Sequence, residues 1–349
     1  LIYTNEILSE QRQSADLSAD LFVQQCFVDA QAKTALRDYL NQLVYNKQLT
    51  SLPDSYINEP LFVNATVLPA WADKKHMQQG AAFFARHAGL IMNMLGLLSL
   101  PYCYAAADGA KVLYLSERIR NDTAKRLQET GEFVWDVMSP DAFESNGKGF
   151  ASILKVRLIH AGVRFYTLQS GRWDMSWGQP VNQEDMAGTN LSFSLLVIRG
   201  LRKLDVAVSY ADQQAFMHLW NVIGFMSGVE EALLPETGKQ AIALEQAISS
   251  RQFRTSMEGQ ALTQALIQYF KSLKLEAPLS SGDIVQLMRY LLGTQVADLL
   301  NIPAVSFPKS TITLLKLTGT LQELKPISSV VGEYRQQYAD FRKQQSRFA

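Results

Sequence analysis

Cysteine is nearly absent from this 349-residue chain, and so is any imbalance of charge. Cys26 and Cys103 lie far apart and match no metal-ligand spacing, which excludes a zinc ribbon or a disulfide-stapled scaffold and leaves two core thiols. Lys plus Arg and Asp plus Glu both number 33, so nothing asks for nucleic acid or an anionic membrane surface as a partner. No Gly/Ser tract, Pro-rich spacer or block of like charge marks a linker. The expectation is therefore one large helical domain, residues 61–349, ending in a helical extension and preceded by a peripheral helical arm, residues 1–60, in a monomer or weak homo-oligomer. The motifs G-x-S-x-G, H-E-x-x-H and G-x-G-x-x-G are missing, which leaves the common hydrolase, metalloprotease and dinucleotide readings without support. Long apolar runs are also scarce. HAGLIMNMLGLLSLP, residues 87–101, is too short to span a bilayer and stops at Pro101, so it reads as a buried core helix, and no transmembrane segment is expected. LIYTNEILSE carries no basic stretch followed by an apolar run. With no export signal in view the protein is expected in the cytoplasm, although a start at Leu1 leaves room for a removed leader.

Helical periodicity is what the sequence does have. With 47% hydrophobic and 19% charged residues the chain can bury a large core. Amphipathic patterns run through LSADLFVQQCFVDAQAKTALRDYLNQLVYN, ADKKHMQQGAAFFARHAGLIMNMLGLLSL and LSERIRNDTAKRLQETGEFVWDVMSP, the last ending at Ser139-Pro140. Others cover ILKVRLIHAGVRFYTLQS, LSFSLLVIRGLRKL, DQQAFMHLWNVIGFMSGV, GKQAIALEQAISSRQ, EGQALTQALIQYFKSL, DIVQLMRYLLGTQVADLL and VGEYRQQYADFRKQQ. GRWDMSWGQPVNQEDMAGTN reads as a long polar insertion. Strand-like alternation is confined to KVLYL, residues 111–115. The fold class is all-α.

KVRLIHAGVRF, residues 155–165, places charge where a core helix should be apolar. Arg157, His160 and Arg164 are spaced i, i+3, i+7 and fall within an arc of about 60°, beside the stripe Val156, Ile159, Val163. Burying two guanidiniums requires counter-charges. Glu184 and Asp185 are nearby candidates, and a bound anion is another. A histidine between two arginines suits a haem, because imidazole ligates iron and guanidiniums pair carboxylates. The plainer reading is an amphipathic helix with two surface arginines and a core histidine. Among the other histidines, His87 beside Arg86 is the second ligand candidate, His218 reads as a core or cap residue and His76 as exposed. KRLQET sets Arg126, Glu129 and Thr130 on one helix face, where a solvated Arg–Glu pair is the plain alternative. In GQPVNQEDMAGTN, Asn182 reads as a helix cap with Glu184 and Asp185 in the first turn.

Taken together, LSLPYCYAAADGAKVLYLSERI, AKRLQETGEFVWDVMSP, KVRLIHAGVRF, GQPVNQEDMAGTNLSFS, HLWNVIGFMSGVEEALLP and EGQALTQALIQ resemble the MpaB and rubber-oxygenase catalytic-domain family, which includes the latex clearing proteins. The resemblance spans roughly residues 60–305. It implies a helical fold with a globin-like core around haem b, with His160 as iron ligand and Arg157 and Arg164 supporting the haem and its histidine. It also implies Arg126 and Thr130 as residues on the distal side of the iron, and O2-dependent cleavage of carbon–carbon double bonds in an apolar, isoprenoid-like substrate. The sequence departs from the latex clearing proteins at Glu129, where they carry a lysine able to cap the iron, and this makes rubber itself a poor substrate. Glu129 then becomes a candidate for moving a proton. The competing reading is a haem or lipid carrier, or a gas sensor, on the same fold. The polar trio Arg126, Glu129 and Thr130 argues for the enzyme, since a carrier needs no carboxylate facing iron.

Overall fold

The computed structural model describes residues 3–116, 122–272, 281–304 and 329–346. Among them no strand forms, and one isolated antiparallel bridge joins Ala106 to Phe253. The all-α expectation holds even where the sequence looked strand-like, because KVLYL is the C-terminal part of helix Ala107–Leu115.

The centre of the fold is a helix pair, Lys74–Met94 against Tyr210–Met226. Gly80 sets their approach: a Cβ there would stand 2.6 Å from the Ala215 carbonyl oxygen. Phe83, Phe84, Ile91, Phe216 and Val222 are fully buried around this contact. Each such side chain contributes roughly 1.5–3 kcal/mol by leaving water.

The apolar run 87–101 does not stop at Pro101. A π-helical turn, Leu95–Ser99, links Lys74–Met94 to a further helical segment, Leu100–Tyr104. Pro101 sits in the first turn of that segment, directly after the π-helical turn. Joined in this way, Lys74–Tyr104 is long and apolar enough to cross a membrane by length and composition, but 61% of its most apolar window is buried inside the protein, as in a core helix.

Residues of the segment expected as a peripheral arm reach the hydrophobic core. Its single predicted pattern divides into Leu17–Phe27 and Ala30–Gln42, because Asp29 caps the second helix by accepting from the N–H groups of Gln31 and Ala32. Phe22, Val23 and Leu36 belong to the main hydrophobic cluster, while Leu8, on helix Asn5–Gln13, joins a second cluster with Leu191 and Leu244. The expected polar insertion is only half irregular. Gln183–Phe193 is a helix, capped as expected by Asn182, whose side-chain oxygen accepts the Asp185 N–H at 2.9 Å. Thr123–Met138 ends at Ser139 as its proline demands, while residues 117–121 of the same pattern lie outside the described residues. Near the end of the chain, helix Val330–Ser346 lays Tyr334, Tyr338 and Phe341 against Trp135.

Candidate active site

Helices Leu100–Tyr104, Ala107–Leu115, Thr123–Met138, Gly149–Gln169, Gln183–Phe193, Tyr210–Met226 and Gly238–Gln252 together wall a cavity of about 820 Å³. Most of the wall is apolar, with Leu127, Phe133, Ile159, Val163 and Trp220 among its residues. That size and character suit a small-molecule site.

His160 lines the cavity from helix Gly149–Gln169 and is half-buried. Its Nδ1 is buried and has no hydrogen-bond partner among the described residues. Burial, followed by the charges of Arg164 and Arg126, pushes its pKa down to about 3. The imidazole is therefore neutral at physiological pH, the form that ligates metal. The other candidate is excluded by position: His87 is buried with its ring 4.9 Å from that of Phe83 and does not line the cavity. His218 accepts the Asp73 N–H at Nε2, 2.9 Å, and serves the helix start at Lys74; His76 is exposed.

Arg126, Glu129 and Thr130 line the same cavity as His160. The Arg126 Nη1 to Glu129 Oε2 distance is 3.6 Å, and each side chain is about one-third exposed, at 34% and 37%. Thr130 donates its hydroxyl proton to the Arg126 carbonyl at 2.9 Å, so toward the cavity its oxygen is an acceptor. Lys155 adds a second cation to the wall, with its pKa lowered by burial.

Arg157 and Arg164 are not part of the lining. Arg157 makes a two-pronged ion pair with Asp16, through Nε and, at 2.9 Å, through Nη2. Arg164 is almost fully buried, donating from Nε to Asp20 at 2.6 Å and from Nη1 to the Val181 carbonyl at 3.2 Å. The counter-charges sought in Glu184, Asp185 or a bound anion thus come from helix Leu17–Phe27. Asp16 also caps that helix, accepting from the Ala19 N–H. Burial raises the Asp20 carboxyl pKa while Arg164 opposes the rise. Glu184 and Asp185 have other partners. Arg12 donates to both, at 3.1 and 2.9 Å, and Arg251 and Gln252 complete the shell of the fully buried Glu184 at 2.9 and 3.0 Å.

Tyr102 and Glu245 are among the polar groups of the wall that sequence reasoning missed. Tyr102 donates its hydroxyl to Glu245 Oε1, and Arg199 donates to Glu245 Oε2 at 2.9 Å. The available signal was a carboxylate in the apolar pattern of AIALEQAI, where an unpaired charge would be costly.

Among the described residues no three His, Cys, Asp or Glu side chains cluster to hold a bare metal ion. An iron held here by one imidazole would need its other ligands from a macrocycle, and the neutral His160 on a large apolar cavity fits such a group.

Comparison with known proteins places this arrangement. Residues 74–322 match the family described as ER-bound oxygenase mpaB/B'/Rubber oxygenase, catalytic domain. A rubber oxygenase of Streptomyces sp. (strain K30) is 30% identical over 242 residues, covering 68% of this chain and 59% of that protein's length. A solved structure of latex clearing protein in the closed state superposes with a TM-score of 0.78 at 26% identity, covering 93% of this chain and 90% of the other.

Proposed function

Because the chain belongs to the mpaB and rubber-oxygenase catalytic-domain family, we propose that it is an oxygenase acting on an apolar, isoprenoid-like substrate held in the 820 Å³ cavity. The reaction is O2-dependent oxidation or cleavage of a carbon–carbon double bond. The observation that carries this reading is a neutral imidazole with an unpartnered nitrogen, on a mostly apolar wall shared with Arg126, Glu129 and Thr130.

The cofactor is haem b, held by His160, and when bound it supplies the redox chemistry that activates O2. Lys155 is a cation on the same wall that would suit its anionic edge. Arg157 and Arg164 act through the helix and not through the cavity: pinned by Asp16 and Asp20, they fix the two turns that flank His160. After burial itself, the charges of Arg164 and Arg126 also keep the imidazole unprotonated. On the substrate side, the apolar wall excludes water and orients the chain. Arg126 offers hydrogen bonds, the Thr130 oxygen accepts one, and the Glu129 carboxylate holds or moves a proton at its Oε atoms, a role typically worth ~10²–10⁴ in rate. Glu129 cannot offer the neutral amine of the lysine that the latex-clearing pattern carries at this position, so small ligands such as cyanide are expected to bind in one fast phase.

The test is the absorption spectrum of the purified protein, followed by O2 consumption with isoprenoid substrates. A Soret band that is lost in His160→Ala and kept in His87→Ala is the expected result. A colourless protein, or full haem retention in His160→Ala, would refute the assignment.

A further inference from the structure

The proposed oxygenase reading does not use the Tyr102–Glu245 pair. Glu245 is buried on the helix Gly238–Gln252, yet both it and Tyr102 line the cavity. Its counter-ion lies elsewhere: Arg199 is 39% exposed and lines a separate outer hollow, so the carboxylate is neutralised without blocking the chamber. Phe253 packs edge-on to Tyr102 with ring centres 4.6 Å apart and holds the phenol in place. Burial first, then the neighbouring carboxylate, raises the Tyr102 pKa, so the phenol stays protonated and keeps donating to Glu245.

What remains at this spot is acceptor capacity. A carboxylate has about four lone-pair sites, and the two hydrogen bonds from Tyr102 and Arg199 use two of them. A pure hydrocarbon filling the cavity would expel water and leave those sites unsatisfied, which is costly in an apolar wall. An occupant with a hydroxyl proton would satisfy one of them. We propose that Tyr102 and Glu245 form a polar anchor in the cavity wall, and that the substrate is an apolar chain bearing a hydroxyl group that donates to Glu245. The anchor sets which molecule is accepted and where along its length it is held; the chemistry at His160 is unchanged by it.

This inference deepens the oxygenase reading and rests on it for the identity of the cavity as a substrate chamber. The test compares farnesol with the hydrocarbon of the same chain lacking the hydroxyl, by equilibrium dialysis against the full-length protein as purified. In Tyr102→Phe/Glu245→Leu the ratio of alcohol to hydrocarbon affinity should fall by about tenfold or more, with hydrocarbon binding equal or tighter. The conservative variant Glu245→Gln, which keeps shape, should lower the ratio several-fold and serves if the double variant does not fold. An unchanged ratio in the folded variants overturns the anchor. Because binding is read without turnover, an intact alcohol preference in a protein that consumes no O2 would sink the oxygenase reading alone. Turnover with no such preference would sink the anchor alone.

Discussion

Behind His160, Arg157 and Arg164 are clamped by Asp16 and Asp20, and further along the fold the fully buried Glu184 is gripped by Arg12 and Arg251. On the cavity wall, Arg126 and Glu129 stand 3.6 Å apart with a third of each side chain exposed. Arg164, Arg12 and Glu184 of the first set are sealed, so removing a partner of one of them strands a charge in a dry site. The second is exposed enough that its ionic contact adds little stability. Charges that support the fold and charges that line the chamber thus differ in burial.

The difference can be broken from either side. Glu184→Ala strips Arg12 and Arg251 of a shared, fully buried partner and should lower the unfolding free energy by about 3–5 kcal/mol in a urea titration. A loss within the error of an ordinary surface substitution would show that the network is not sealed. Glu129→Gln should do the opposite. Turnover should drop by at least ~10²-fold if proton transfer limits the rate, while stability changes by less than about 1 kcal/mol. Wild-type turnover in a variant with intact haem would remove Glu129 from the mechanism. Asp16→Asn keeps the helix cap but deletes the charge facing Arg157, which is itself 24% exposed, so a smaller loss of about 1–3 kcal/mol is expected. It should be accompanied by weaker haem retention, and unaltered haem off-rates would detach this pair from the site.

The smallest effect is one of pH. His218 Nε2 accepts the Asp73 N–H and cannot do so once protonated. Burial and, after it, the neighbouring His76 lower its pKa below the ordinary 6.5, with Asp73 opposing. Between that lowered value and 6.5 the unfolded chain binds a proton that the folded chain refuses. The contribution is therefore complete above pH 6.5 and is lost as pH falls, with a slope well under the limit of about 1.4 kcal/mol per pH unit because the ring is only half-buried. His218→Gln, which retains an acceptor without titrating, should flatten thermal stability between pH 7.5 and 5. Identical slopes in the two proteins would show that the histidine is not coupled to folding.

Periodicity made the helices legible, because burial of one face leaves a record in local spacing. It also placed Arg126, Glu129 and Thr130 together, since residues on one face of one helix stay together in any fold; that His160, on another helix, faces the same cavity was legible only through the family resemblance. What pairs with Arg157 and Arg164 was hidden: Asp16 and Asp20 lie more than 140 positions away, and a contact across that separation is decided by packing, not by spacing. The two aspartates four apart on an amphipathic helix, with two arginines seven apart on another, were the only trace of it. Tyr102 was hidden for a different reason. An aromatic residue in an apolar run looks like core until its hydroxyl is seen to have a partner.

The π-helical turn Leu95–Ser99 bears on the same residue through phase. A turn closed i to i+5 holds one residue more than an α-helical turn, and one residue is a rotation of about 100°. Everything after it on the Lys74–Tyr104 rod is therefore aimed differently from what the preceding twenty residues would dictate. Upstream, the rod turns Phe84 and Ile91 into the core; downstream, it presents Leu100, Tyr102 and Cys103 to the chamber. Ser99 fastens this offset by donating to the Ser192 carbonyl at 2.6 Å. The turn works as a gear between two parts of one helix, and deleting a single residue from it would rotate the Tyr102 hydroxyl away from Glu245 without touching either side chain.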